Sequence, residues 1–123
     1  MAVNATESNV SKVQTTDGTQ TTCGSYTLAT ATVVSITAYI VAYSAAAGDA
    51  KVFQLTGGIE RIAGGAVIIG SILNVITAQG TAGATTWSAT MDVNGNDVRV
   101  RVTGAALTTI EWRTRLVVDV YTP

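Results

Sequence analysis

Along most of this chain apolar and polar residues take turns one by one, the period of a pleated strand with one face buried and the other wet. The alternation is cleanest towards the C-terminus. Val98, Val100 and Val102 share one parity, and Ile110, Trp112, Leu116, Val118 and Val120 share one in the next run. "TWSATMDV" places Trp87, Ala89, Met91 and Val93 on one side, and "KVFQLTGGIERI" does the same for Phe53, Leu55 and Ile59. Residues 25–44 differ, because both parities are largely apolar. Val34, Ile36, Ala38, Ile40 and Ala42 lie on one face, with Val33, Thr37, Tyr39, Val41 and Tyr43 on the other. Such a strand is expected inside a sandwich or at a subunit contact. "AVIIGSILNVITAQ" is rich in β-branched residues and reads as a further strand; a helix is the alternative, opposed by Gly70 and by the Ile and Val content.

Turn chemistry separates these runs. Asp17-Gly18, "AAAGD" at 45–49, "AGG" at 63–65 and "GTAGAT" at 80–85 punctuate the pattern, and "NGND" at 94–97 is a strong hairpin signal. Several short strands at this spacing, with no convincing 3.6-residue segment, predict an all-β fold. The expectation is an antiparallel, jelly-roll-like β-sandwich of about eight strands without substantial helix. Residues 15–123 form its single domain. Residues 1–14 are polar and aperiodic and read as a flexible N-terminal arm or a short edge strand, either disordered or ordered against a neighbouring subunit.

The 123 residues are enough for a core without disulfides. Only 12% of them are charged, and seven basic against eight acidic side chains leave a formal net charge of -1. The molecule as a whole therefore has no electrostatic pull on nucleic acid or anionic membrane, and neither is expected as a partner. "MAVNATESNVSK" has neither the basic nor the apolar region of a secretory signal. The two greasiest stretches are interrupted and short for a spanning helix.

The inventory for chemistry is thin. Without histidine there is no imidazole base near neutral pH and no histidine metal ligand. Cys23 is alone; it reads as a semi-buried filler rather than a reactive thiol, and suits reducing cytosol or an assembly made there. "DVNGND" at 92–97 alternates oxygen ligands with glycine, but Gly95 is fourth where a calcium loop needs sixth, and Thr103 stands where the bidentate Glu belongs. Glu60, Glu111 and the aspartates are not placed as a catalytic pair by any spacing. "GGIERIAGG" lacks the lysine of a phosphate loop. No catalytic, cofactor-binding or metal-binding residue is assigned, and no enzymatic activity is expected.

Four of the seven basic residues, Arg99, Arg101, Arg113 and Arg115, fall in the last two strand-like runs. If these runs form a hairpin with Val102 opposite Ile110, Arg101 faces Glu111, Asp97 faces Arg115 and Arg99 faces Arg113; a slip by two pairs Arg99 with Glu111 and Asp97 with Arg113. Either register laces the arginines with acids, which fits a solvated face better than an interface network or a nucleic-acid surface.

The order "TTDGTQTT", "LTGGIERIAGG", a tryptophan and "MDVNGNDVRVRVTGAALTTIEWRTRLVVDV" resembles a β-sandwich domain of tailed-bacteriophage virion proteins, found at the ends of tail or head fibres and as free-standing capsid proteins. The likeness spans residues 15–121 and is densest from Val93 to Trp112. In place of the acidic run that often precedes the tryptophan in that family, this chain has "TAGATTW". The resemblance implies a virion surface role without catalytic residues. The leading expectation is a capsid decoration (cement) protein, a homotrimer bound to the major capsid protein, assembled in the host cytoplasm and located on the capsid surface of the virion. The alternative is a receptor- or glycan-binding tail- or head-fibre domain, for which Tyr26, Tyr39, Tyr43, Trp87 and Tyr121 are the plausible aromatics.

Overall fold

The computed structural model describes residues 3–76 and 79–122. They form eight antiparallel strands: β1 (Val3–Thr15), β2 (Thr21–Thr27), β3 (Thr32–Ser44), β4 (Asp49–Arg61), β5 (Val67–Ile76), β6 (Ser88–Asn94), β7 (Asp97–Thr103) and β8 (Ile110–Thr122). A five-stranded sheet runs in the order β1-β8-β3-β4-β5 and a three-stranded sheet in the order β2-β7-β6. The expected eight-stranded antiparallel sandwich is what forms, divided five and three because β3, β4 and β5 continue as a meander in one sheet. The one helical segment among the described residues is a 3-10 turn at Ala82–Ala84. "AVIIGSILNVITAQ" supplies β5, as its β-branched content requires.

Period-two alternation decides what is buried. Val34, Ile36, Ala38, Ile40 and Ala42 of β3 face Val98, Val100 and Val102 of β7 across one core, all at 1% exposure or less. Through its centre Phe53 stacks on Trp112, with ring centroids 6.1 Å apart, and Trp87 packs tilted against Trp112 at 6.2 Å. The Trp112 indole N–H, which would be costly to bury unpaired, donates to the Thr15 hydroxyl at 2.8 Å. Cys23 is likewise a core filler. Its thiol takes a hydrogen bond from Thr114 at 3.2 Å, and burial pushes its pKa up, which keeps it protonated and unreactive.

Two expectations change here. Residues 3–14 depart from a flexible arm: they are paired with β8 along their whole length, from Val3↔Thr122 to Thr15↔Ile110, as the edge strand of the large sheet. And β7 and β8 are not a hairpin. β7 lies between β2 and β6, β8 lies between β1 and β3, and residues 104–109 carry the chain from one sheet to the other. Parity could not separate these arrangements, since an apolar row is hidden equally well beside its neighbour in one sheet or opposite it across a sandwich.

The NG turn holds the two sheets together at one end. Gly95, at φ +61, takes the first position of the two-residue loop between β6 and β7, where a side chain would be strained. Its carbonyl accepts from Ala66 N at 2.8 Å and that of Asn96 from Leu28 N at 2.9 Å, so the loops after β4 and β2 both close onto it. Arg61 donates to the Leu28 and Gly64 carbonyls from the same corner. "GGIERIAGG" is therefore a structural corner, and its Gly57 makes room for Ile72.

Candidate functional site

The described residues offer no buried constellation for chemistry. No group of three or more Cys, Asp or Glu side chains among them could hold a metal ion. In "DVNGND" the acids diverge, Asp92 pairing with Arg99 and Asp97 accepting from the Thr27 hydroxyl at 2.5 Å. Glu111 is engaged by the Gln14 amide on the open face of the large sheet. The charged side chains of the described residues all lie on the surfaces of the molecule.

The arginines divide between two of them. Arg99 and Arg101 point outward from β7 on the small sheet. Arg99 makes a bidentate contact with Asp92 at 2.8 and 3.0 Å, which raises its already high pKa. Arg113 and Arg115 point outward from β8 on the other side of the molecule. There the register sets Arg113 between Lys12 of β1 and Val41 of β3, and Arg115 between Val10 and Tyr39. Lys12 and Arg113 are directly opposed like charges, an unfavourable cross-strand pair. Neither has a hydrogen-bond or ion-pair partner among the described residues, while Arg115 rests over the Tyr39 ring at 4.5 Å.

Successive rows across β1, β8, β3 and β4 complete this face. Next to the row Lys12–Arg113–Val41–Val52 lies Gln14–Glu111–Tyr43–Ala50. In the other direction come Val10–Arg115–Tyr39–Gln54, then Ser8–Val117–Thr37–Thr56, then Thr6–Asp119–Ser35–Gly58. Across β8, β3 and β4 the rows of Arg113 and Arg115 are bulky and basic and those of Val117 and Asp119 smaller, and beyond them lies the row Tyr121–Val33–Glu60, flanked by Val67 of β5. Lys12, Val41, Tyr43, Glu111 and Arg113 border a shallow hollow of about 530 Å³ at the basic end.

Its apolar exposure is large. Tyr39, Val41 and Tyr43 of β3, Val52 of β4, and Ile69 and Leu73 of β5 are all more than a third exposed, Leu73 reaching 61%. No large apolar side chain of β2, β6 or β7 is as open. Contiguous apolar surface of this kind marks an interaction site. The adjoining β5 edge is a poor place to add a strand, because the β4–β5 register shifts twice and Gly70 sits at φ +76. The face, rather than the edge, is the available surface.

Of the aromatics expected to be accessible, Tyr39, Tyr43 and Tyr121 are, and all three lie on this face. Trp87 is not, at 1% exposure. Tyr26 is half-buried and donates to Glu7 at 2.6 Å, its pKa pushed up to about 12 by desolvation and then by that carboxylate. Lys12 was invisible as a site residue: it lies 101 positions from Arg113 in the chain, and only β1 pairing with β8 brings them together.

No protein-family model and no curated protein matches the chain. Among solved structures, the crystal structure of the tailspike protein of Acinetobacter baumannii phage AM24 is similar, with a TM-score of 0.53 at 10% sequence identity. The match covers 92% of this chain and 26% of the tailspike, so the chain spans about a quarter of that protein's length. What the two share is an all-β fold.

Proposed function

We propose that this chain is a non-enzymatic structural domain of a phage virion, carried at the tail in a spike or fibre assembly. The observation that supports this most is the fold shared over 92% of the chain with part of a phage tailspike; the likeness is an analogy of fold, and function is drawn from it together with the surface. An open, partly apolar sheet face and the lack of a reactive constellation among the described residues suit a module that works by association. Its first partners are further copies of itself.

Capsid decoration is the second reading. It draws on the resemblance between Val93 and Trp112, which extends to free-standing capsid proteins, and in it the major capsid protein would be the partner. Immunogold labelling of phage particles that carry the chain distinguishes the two. Label at the tail tip is the expected result, label over the shell would transfer the assignment to decoration, and unlabelled particles would overturn both.

A further inference from the structure

The open face of the five-stranded sheet is self-complementary, and we infer that two copies of this chain pair through it, face to face, about a twofold axis lying across the strands midway between the Arg115 and Val117 rows. Such an axis reverses the strand direction in the partner and sets each row of one copy over a different row of the other. The Arg115 row then meets the Val117 row, and the Arg113 row meets the Asp119 row.

Charge is matched by this arrangement. Lys12 and Arg113, opposed like charges with no acid partner in their own chain among the described residues, come over Asp119 of the second copy. Asp119 is held in place by the Thr6 hydroxyl at 2.8 Å, which leaves its other oxygen open. Stacked sheets cross at about 30°, which at three residues from the axis shifts a side chain sideways by about one strand spacing, so both cations stay within reach of the acid. An axis along the strands would instead set the basic row over itself or over Val41 and Val52, which costs repulsion or desolvation.

Shape is matched as well. Near the axis Val41 and Val52 come over Ser35 and Gly58, and Tyr39 comes over Thr37, so large side chains of β3 and β4 in one copy meet small ones of the other. Five strands about 4.8 Å apart and ten residue steps of about 3.4 Å give a face of about 800 Å² per copy, the size of a standard stable interface. The geometry is isologous, so it closes at two copies without exposing a further sticky face. It is independent of where the chain sits on a virion, and it is an alternative to the threefold assembly implied by the sequence resemblance.

Sedimentation of the full chain over a range of concentrations tests the pairing. A dimer is expected. Arg113→Asp and Asp119→Arg should each weaken it at least tenfold, and the double variant, which restores opposite charges across the axis, should recover most of the loss. Both side chains lie on the open face, and unchanged thermal melts show that the variants fold. Independently, a chain carrying Ser35→Cys and Val41→Cys should be joined into a covalent dimer by a bismaleimide cross-linker long enough to span the about 10 Å between packed sheets. A monomer at all concentrations, a trimer, or a double variant no better than either single one would overturn the inference.

Discussion

The outer faces of the two sheets carry the same kind of sequence, alternating arginines between β-branched residues, and have opposite characters. On the small sheet Arg99 has Asp92 beside it, Asp97 has Thr27, and no large apolar side chain of its strands is widely exposed. On the large sheet Lys12 and Arg113 oppose each other, Arg115 lies on a tyrosine ring, and several large apolar groups are open. The small face pairs Arg99 internally and leaves Arg101 without a partner among the described residues, its Nε buried and unsatisfied, but it exposes little apolar surface and so has less to gain from a partner. A face that leaves charges unmatched beside apolar surface gains both electrostatically and by burial.

The strongest way to break the contrast is to remove the core that both sheets share. Trp112→Ala deletes the central ring of the aromatic cluster and leaves Thr15 without its donor, and should cost about 3–5 kcal/mol in chemical denaturation. The faces can also be loosened at the corner where the sheets meet. Gly95→Ala forces a side chain into the left-handed region at φ +61, with open space around it, and should cost about 1–2 kcal/mol in the same measurement.

Smaller changes sharpen the comparison. Arg99→Ala should lower the melting temperature, because Asp92 loses its bidentate partner. Arg113→Ala should leave the melting temperature of the monomer unchanged or raise it slightly, since it relieves the opposition to Lys12. Equal losses in thermal melts at low protein concentration would mean that the faces do not differ in this way.

The smallest effect is confined to alkaline pH. Tyr26 of β2 and Glu7 of β1 tie the two sheets together, and the phenol is raised from about 10 to about 12 in the folded chain. Its contribution to stability is complete below pH 10. Between pH 10 and 12 the unfolded chain gives up the phenolic proton while the folded one keeps it, so that contribution is lost as pH rises. Tyr26→Phe should flatten this part of the stability–pH curve in urea titrations.

Much of the fold is legible in the chain because the information is local. The inward parity of Val98, Val100, Val102, Ile110, Trp112 and Leu116, the Gly95 turn and the β-branched run of β5 each depend on residues within a few positions of one another. The filler role of Cys23 was legible too, from its isolation and from the lack of a base to activate it. The candidate site was much less so. It depends on β1 closing onto β8 across about a hundred residues, and the polar sequence of β1 carries the signature of an edge strand no more clearly than that of an arm.

By itself, then, the sequence determined which side of each strand is buried and where the chain turns, because a period of two and a glycine in a left-handed turn are properties of neighbouring residues. The tertiary structure alone decided which strands are neighbours. Arg99 and Arg113, fourteen positions apart, could have faced each other in one hairpin. They stand on opposite sides of the molecule because β7 and β8 belong to different sheets whose apolar faces meet across one core, and that choice leaves one arginine paired and the other open to a partner.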